Sequence, residues 1–196
     1  MPKLLRPFYD RPTLDVARDL LGKYLVHTVD GLPLVCKITE TEGYIGRLDK
    51  ACHAYGYRRT ARTEILFGRP GTAYIYLIYG MYDCLNFVTE GEGEPCAVLL
   101  RAGIPTPECG DAIAHNRFGR PMADMTVYQR KNFLNGPGKL CRGLRLSRKE
   151  NGMDLTGDKL FVWDAGDEPP AHIKMGKRIG IDYAEEAVGF PWRFWI

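Results

Sequence analysis

The sequence lacks the features that mark membrane-spanning, secreted and metal-binding chains. No apolar run reaches the roughly 20 residues that a membrane helix needs. The N-terminal residues contain no signal-peptide core, so we expect a cytoplasmic protein. The six cysteines form no Cys-x-x-Cys pair and no His-x-x-x-His accompanies them, so we expect no metal site. In a reducing compartment the cysteines should be free thiols, buried or partly buried.

Acidic residues are scarce in one segment of an otherwise balanced chain. The net charge is only +3, yet residues 116–149 contain nine basic side chains and one acidic side chain, a net charge of +8. Such a concentration is typical of a phosphate-binding face. The alternative is a solvated basic surface that binds nothing.

The length of 196 residues, with 45% hydrophobic and 26% charged side chains, suits one soluble globular domain over residues 1–196. Repeats and linkers are absent. Alternating apolar patterns and turn signals predict strands at 23–29, 34–41, 73–78, 81–88, 97–102, 159–163 and 174–181. Helices are predicted at 13–22, where Thr13 can act as the N-cap, within 122–133, and around Leu140 and Leu144. The fold class is α+β: a single domain with a curved antiparallel β-sheet, a protruding β-hairpin and surrounding helices.

Tyrosines crowd the segment from residue 74 to residue 82. Tyr74 and Tyr76 point to one face of the predicted strand, and Tyr79 falls on the other. Gly80 allows a sharp turn, so Tyr79 is expected near the tip of a hairpin. Aromatic faces can hold a flat ring, and an aromatic tip can wedge between stacked bases. The alternative is a strand rich in aromatics only because aromatics suit strands.

Two carboxylates precede the tyrosines at matching strand positions. Glu40 and Glu42 have the same parity, so in an extended strand they face the same side. Their like charges would repel, which would raise the pKa of one of them. A carboxylate in this position can activate water. The alternative is a solvent-facing pair on an edge strand.

Two further features have a chemical and a structural interpretation. His53 lies in segment 46–72, which has little periodicity and should be a long ordered loop, and a histidine there is more often structural than catalytic. Gly136-Pro137-Gly138-Lys139 is typical of a turn that starts a helix, where backbone N–H groups can bind a phosphate. The full nucleotide-binding loop pattern is missing, so no nucleotide cofactor is expected. As a plain turn, this segment needs no ligand.

In order and spacing, these segments resemble the alkyladenine (3-methyladenine) DNA glycosylase family over nearly the whole chain. The matching motifs are Ala17-Arg18-Asp19-Leu20-Leu21-Gly22-Lys23, Ile38-Thr39-Glu40-Thr41-Glu42 with Tyr44 and Gly46, His53-Ala54-Tyr55, Tyr74-Ile75-Tyr76-Leu77-Ile78-Tyr79-Gly80-Met81-Tyr82, Cys84-Leu85-Asn86, Val98-Leu99-Leu100-Arg101-Ala102, Gly136-Pro137-Gly138-Lys139-Leu140 and Arg178-Ile179-Gly180-Ile181.

The resemblance implies a monofunctional repair enzyme that flips alkylated or deaminated purines out of duplex DNA. The enzyme would hydrolyse the N-glycosidic bond and leave an abasic site, with Glu42 as the general base that activates water. Tyr79 would fill the gap in the duplex. The residues implied for the base pocket are Tyr44, His53, Tyr76, Asn86 and Arg101, and the candidate phosphate contacts are Gly138, Lys139 and Arg142.

The resemblance also implies a partner and a setting. The partner is double-stranded DNA that contains damaged purines, with no membrane involved, and the expected location is the cytoplasm, at the bacterial nucleoid. No metal or organic cofactor is needed, and a monomer is expected because one basic face and one pocket suffice.

Two other functions compete with this interpretation. A non-catalytic nucleic-acid binding module of the same fold would keep the basic face and the stacking aromatics. It would gain nothing from Glu42, because a carboxylate repels a polyanion. A small-molecule nucleoside hydrolase or a formyltransferase-like domain would need neither the basic segment nor Tyr79.

Overall fold

The β-sheet is organised around one long strand. The computed structural model describes residues 2–196. Its strands are β1 Tyr24–Val29, β2 Leu32–Ile45, β3 Ala73–Ile78, β4 Tyr82–Thr89, β5 Cys96–Pro105, β6 Leu160–Trp163, β7 Lys174–Gly176 and β8 Arg193–Trp195. All pairings are antiparallel, in the order β3-β4-β5-β2-β1-β6, with β8 joining β2 to β7. The sheet curls into a half-barrel, and the α+β prediction is confirmed.

A pair of register shifts in the middle of β2 decides which face of the sheet its side chains reach. Ile38 pairs with Gly103 and Thr41 pairs with Leu100, with irregularities on both sides of Glu40. A bulge of this kind reverses the alternation of side chains that follow it. Ile38 therefore lies in the main core, whereas Glu42, which has the same parity, lies on the opposite face.

The helices cover one face of the sheet. They are α1 Arg6–Tyr9, α2 Thr13–Asp19, α3 Gly110–Phe118, α4 Val127–Lys131 and α5 Pro137–Gly143. Apolar side chains of α2, α3 and α5 pack with Phe87, Val98 and Leu100 to form the main core. The opposite face is covered by the loop 46–72, which contributes Leu66 and Phe67 to a smaller core. Because strand side chains alternate, strands β3, β4 and β5 each supply one row to the main core and one row to this second face.

The hairpin of β3 and β4 protrudes as predicted. Its turn contains Tyr79 and Gly80, which both have positive φ, 53° and 69°. Two consecutive positive φ values suit the right-handed twist of the flanking strands. Tyr79 is 77% exposed and Met81 is 67% exposed at this tip.

Three local predictions need correction. Thr13 does not cap α2, because its hydroxyl donates to Glu90 and the helix has Pro12 at the N-cap. The strand predicted at 174–181 ends at Gly176, since the Arg178 guanidinium turns into the interior and Gly180 has a φ of 76°. The helix predicted within 122–133 is limited to α4, preceded by a short 3-10 turn at Met122–Asp124.

The other predicted elements are present, but β2 extends to Ile45 and helix α3 was not predicted. The strands around the hairpin, the irregular loop 46–72 and the helix that contains Leu140 are present. All six cysteines are free and buried. The C-terminal tail packs on the sheet as β8, with Phe194 buried in the main core.

Candidate active site

A cavity of about 700 Å³ opens on the second face of the sheet, between the hairpin, the loop 46–72 and the start of α5. It brings together nine of the residues that the sequence singled out. They are Tyr44, His53, Tyr76, Tyr79, Asn86, Arg101, Gly138, Lys139 and Arg142. Strands β3, β4 and β5 therefore deliver alternate side chains into one concave space.

Three aromatic rings form one wall of the cavity. His53 packs edge-on against Tyr76, with ring centroids 4.6 Å apart, and Tyr74 lies 5.5 Å from Tyr76 at a tilt of 35°. Tyr74 and Tyr76 thus share a face, as their parity predicts. The His53 Nδ1 atom is 2.9 Å from the Tyr74 hydroxyl. This cluster is a rigid apolar surface of the kind that holds a flat ring.

His53 is neutral in this setting. Burial, with the nearby Arg62 guanidinium as a second cause, lowers the His53 pKa to about 4. Arg62 donates to Nε2 at 3.4 Å, so the Nδ1 hydrogen is donated to Tyr74. A histidine held in one tautomer by two hydrogen-bond partners is suited to a structural role in the cavity wall. The expectation that His53 is structural agrees with this geometry.

Asn86 is buried on β4 with its amide group fixed by the backbone. Nδ2 donates to the carbonyls of Tyr74 at 3.1 Å and Cys84 at 3.2 Å. Both amide hydrogens are therefore occupied, and the Oδ1 atom keeps its acceptor capacity. An acceptor fixed in a pocket discriminates between rings by the groups on their edges.

Glu42 is fully buried at the closed end, within a group that we name the carboxylate cluster: Glu42, Tyr44, Arg101 and Ile179. Tyr44 donates its hydroxyl to Oε2 at 2.8 Å, and Arg101 donates to the same oxygen at 3.4 Å. The backbone N–H of Ile179 donates to Oε1 at 2.9 Å. These three donors line the cavity, and Glu42 lies directly behind them.

The pKa of Glu42 is raised above the ordinary value of 4.5, chiefly by burial. The Arg101 charge, the Ile179 amide and the Tyr44 hydroxyl each oppose the rise. The predicted direction is confirmed, but the predicted cause is wrong, because repulsion from Glu40 is not among the causes. Glu40 instead accepts from Arg101 and Arg193 at 3.2 and 3.3 Å, so two guanidinium groups neutralise it.

The open end of the cavity is exposed, aromatic and basic. We name Tyr79, Tyr82, Lys139 and Arg142 the cavity rim. Tyr79 and Tyr82 are 77% and 46% exposed. A side chain at Gly138 would place its Cβ only 2.8 Å from the Tyr82 side chain, so the absence of a side chain lets α5 contact the hairpin. The rim thus joins the hairpin to the basic segment 116–149.

The basic side chains at the rim differ in their freedom. Lys139 donates to the side-chain oxygens of Asn132 and Asn135 at 2.9 and 2.8 Å. Burial and the Arg117 charge lower its pKa. Arg142, one turn later on α5, is exposed. Lys139 is therefore a fixed charge, whereas Arg142 can reach toward a ligand outside the cavity.

Within the part of the chain that the structure describes, no group of three or more His, Cys, Asp and Glu side chains is placed to hold a metal ion. In the same residues, no helix is long and apolar enough to cross a membrane.

Several contributors to the site escape sequence reasoning. Ile179 acts through its backbone N–H, which leaves no signature in the side chain. Arg178 and Asp49 form a buried pair beside Tyr44. Their separation of more than a hundred residues hides the pairing, although Arg178 belongs to a motif that the resemblance includes. Tyr74 was predicted to share a face with Tyr76 but was not assigned to the base pocket, which it lines.

The fold and the cavity define an α+β protein with an aromatic pocket that is open at one end, a buried carboxylate behind its lining and a basic entrance. The family model for methylpurine-DNA glycosylase matches residues 7–196. A protein of Alkaliphilus oremlandii is 51% identical over 99% of this chain and 95% of its own length, and one of Clostridium acetobutylicum is 50% identical over 99% and 94%. Both carry the provisional name 3-methyladenine DNA glycosylase. The chain belongs to the methylpurine-DNA glycosylase family.

Proposed function

We propose that residues 1–196 act as one monomeric glycosylase domain that removes damaged purines from double-stranded DNA. The damaged base is flipped into the cavity and its N-glycosidic bond is hydrolysed by a water that Glu42 activates, which leaves an abasic site. The observation that carries the proposal is one cavity with an aromatic, basic rim, whose lining residues Tyr44, Arg101 and Ile179 all donate to the buried Glu42 carboxylate behind them.

The walls of the cavity suit a purine ring. Tyr44 and Tyr76 provide faces for stacking, and His53 supports Tyr76 from the side. Asn86 is fixed on the pocket floor by its contacts with the backbone, and we expect it to crowd the exocyclic amine of undamaged guanine and so disfavour that base. Lesions that are already poorly paired cost less to extrude, which adds selectivity before the base reaches the pocket.

The carboxylate cluster suits a reaction whose sugar becomes cation-like. An ionised Glu42 would stabilise that developing charge and take a proton from the attacking water. A carboxylate has about four acceptor positions, and three are occupied by Tyr44, Arg101 and Ile179. The remaining position is on Oε1, and a water bound there would lie next to Ile179, at the cavity lining.

The pKa of Glu42 favours this role. A general base is most effective when its pKa is close to the working pH, and burial moves the Glu42 pKa upward from 4.5. The Arg101 guanidinium keeps the ionised form accessible by opposing that rise. No step of the mechanism calls for a metal ion or an organic cofactor.

The rim suits duplex DNA. Tyr79 is exposed at the end of a stiff two-stranded arm and would enter the base stack where the damaged nucleotide leaves. Lys139 and Arg142, with the α5 backbone at Gly138, would contact phosphates around the extruded nucleotide. A free nucleoside would need neither the arm nor the basic segment.

One observation favours a second candidate, a module that binds damaged DNA without catalysis. Glu42 is fully buried, and its two oxygens already accept three hydrogen bonds. In such a module Glu42 would only hold Arg101 and Ile179 in place. The two candidates differ in whether neutralising Glu42 abolishes an activity or only changes stability.

Duplexes that carry a single hypoxanthine, ethenoadenine or 7-methylguanine provide the test. Each is incubated without added metal, and abasic sites are then cleaved with alkali. Strand cleavage by the wild-type protein that is lost in Glu42→Gln supports the glycosylase. Damage-selective binding by both proteins with no base release from any of the three duplexes supports the binding module.

A further inference from the structure

Arg178 and Asp49 form an ion pair in which neither side chain is exposed. The Arg178 guanidinium donates to both oxygens of Asp49 and to the carbonyl of Gly43 at 2.9 Å. Its Nε atom is buried without a hydrogen-bond partner among the described residues. Because burying an ion pair costs desolvation energy, such a pair is a weak source of stability by itself.

The pair reaches the carboxylate cluster from two directions. Gly43, which accepts from Arg178, lies between Glu42 and Tyr44 in the chain. Ile179, which follows Arg178 directly, donates its N–H to Glu42 at 2.9 Å. The guanidinium also lies over the Tyr44 ring, 4.6 Å from its centroid. Arg178 thus holds together the strand that carries Glu42 and the segment that donates to it.

We propose that Arg178, anchored by Asp49, is a positioning residue for Glu42. It fixes the Ile179 amide on Oε1 and leaves the remaining acceptor position of that oxygen aimed at the cavity. This inference rests on the proposed function, because it assigns Arg178 a part in placing the general base. Arg178 itself contacts no reacting atom.

The charged and titratable groups that face Glu42 come from its own strand and from two other parts of the chain. Tyr44 lies on the same strand, Arg101 comes from β5, and Arg178 comes from the segment after β7. Glu40 and Arg193 form the next shell, joined to the cluster through Arg101. Arg178 is the member of this set that combines a positive charge with the placement of a donor. Its loss should therefore change both the rate and the ionisation of Glu42.

The test is single-turnover base release from a hypoxanthine duplex, or whichever lesion duplex the wild type cleaves, between pH 5 and pH 9. Wild type, Arg178→Met and Arg178→Lys are compared, with Lys23→Met as the matched control. Lys23 forms a partly buried pair with Asp164 on a remote edge of the sheet. For Arg178→Met we expect the plateau rate to fall between about 10-fold and 100-fold, as for a small misplacement of a catalytic group.

The pH profile distinguishes positioning from a merely structural role. The rate should fall at low pH, where Glu42 becomes protonated; we call this part of the profile the acid limb. In Arg178→Met the acid limb should move to higher pH, because the lost charge no longer favours ionised Glu42. Arg178→Lys keeps the charge but not the three-way contact, so its limb should stay near that of the wild type while its plateau rate falls. Affinity for a duplex with an abasic analogue should change by less than about threefold in both, since neither touches DNA.

Three results would count against the inference. If the rate of Arg178→Met falls but the acid limb of its pH profile does not move, Arg178 only stabilises the fold. An equal loss of rate in Lys23→Met would lead to the same conclusion. If Arg178→Met fails to fold, Asp49→Asn takes its place, and a wild-type rate there would overturn the proposal. A wild-type protein that releases no base from any lesion duplex would overturn the proposed function instead.

Discussion

The two ends of the cavity are built in opposite ways. At the closed end Glu42 is fully buried, and both of its oxygens accept hydrogen bonds. At the open end Tyr79 is 77% exposed at the tip of a hairpin. Glu42 is held by hydrogen bonds from three other residues, whereas the Tyr79 side chain is free to contact a ligand.

This difference separates the chemistry from the recognition. Burial of Glu42 disfavours its charge and so works against folding, a conflict that is typical of residues kept for function. Tyr79 carries little such penalty, because an exposed side chain on a stable hairpin loses few contacts when it is replaced. Substitutions at the closed end should therefore lower the rate of base release, and substitutions at the open end should weaken DNA binding and extrusion of the base.

The largest effect is expected for Glu42→Gln, which tests whether the closed end of the cavity supplies the chemistry. We expect base release to fall by about 10²-fold to 10⁴-fold, the usual contribution of a general base. The fold should survive, because an environment that raises the pKa of a carboxyl group tolerates an uncharged one. Single-turnover kinetics and a thermal melt measure the two quantities.

Glu40→Gln is the matched control for that variant. Glu40 also accepts from Arg101, but it is only partly buried and, unlike Glu42, accepts no hydrogen bond from Tyr44 or Ile179. We expect a loss of less than about tenfold for Glu40→Gln, since the general base is intact. Equal losses in the two variants would show that the carboxylates act only through Arg101.

The second test concerns pH at the closed end. Because the pKa of Glu42 is raised above 4.5, base release should decline as the pH falls through that raised pKa, about tenfold per unit below it. His53 does not cause a limb at pH 5 or above, since its pKa is lowered to about 4 and it is neutral there. A rate profile of the wild type from pH 4 to pH 9 measures the limb.

The sign of the accompanying stability change follows from the same shift. A carboxyl group with a raised pKa contributes stability that is present below its ordinary pKa of 4.5 and is lost as the pH rises through the raised value. Glutamine does not titrate, so the melting temperature of Glu42→Gln should not show this decrease as the pH rises. If the wild type and the variant change stability in parallel over this range, the pKa of Glu42 is not raised in the folded protein.

The third test addresses the open end through Tyr79→Ala. Stacking of a base on an aromatic ring contributes about 1–3 kcal/mol, so release from duplex DNA should fall about 5-fold to 150-fold. Release from the same lesion in a single strand should change little, since no gap has to be filled. Stability should shift by less than about 0.5 kcal/mol.

Leu32→Ala serves as the control for Tyr79→Ala. Leu32 is 70% exposed beside the turn between β1 and β2, away from the cavity. The ratio of duplex to single-strand rates should be unchanged in this variant. A similar drop in the ratio for both variants would remove Tyr79 from the extrusion step.

Much of the fold could be predicted because its signals are local. Alternation of apolar residues placed β3, β4 and β5 correctly, and the Tyr79-Gly80 turn placed the hairpin tip. The strand beyond Gly176 was predicted wrongly because its apolar residues are used elsewhere. Ile181 is buried in a small separate core with Ala184 and Ala187, a tertiary contact that no local pattern reveals.

The site was predictable only in part, for a geometric reason. Shared parity suggested that Glu40 and Glu42 face one side, yet the register shifts on both sides of Glu40 decide which face of the sheet Glu42 reaches. The donors on Glu42 come from distant points in the chain, and the Ile179 donor is a backbone group. Cross-strand bulges and backbone donors lie outside what residue types and spacing can indicate.

The smallest expected effect belongs to the basic part of the rim. Arg142→Gln should weaken DNA binding by a similar factor for damaged and undamaged duplexes, because a phosphate contact carries no sequence information. The slope of log K against log salt should become less steep by about 0.9. Arg145→Gln, two residues beyond the end of α5, is the control, since Arg145 pairs with Asp30 at 2.8 Å and lies outside the cavity lining. If both variants reduce the slope equally, the whole segment 116–149 binds the duplex as a diffuse positive surface, and the rim has no special place in it.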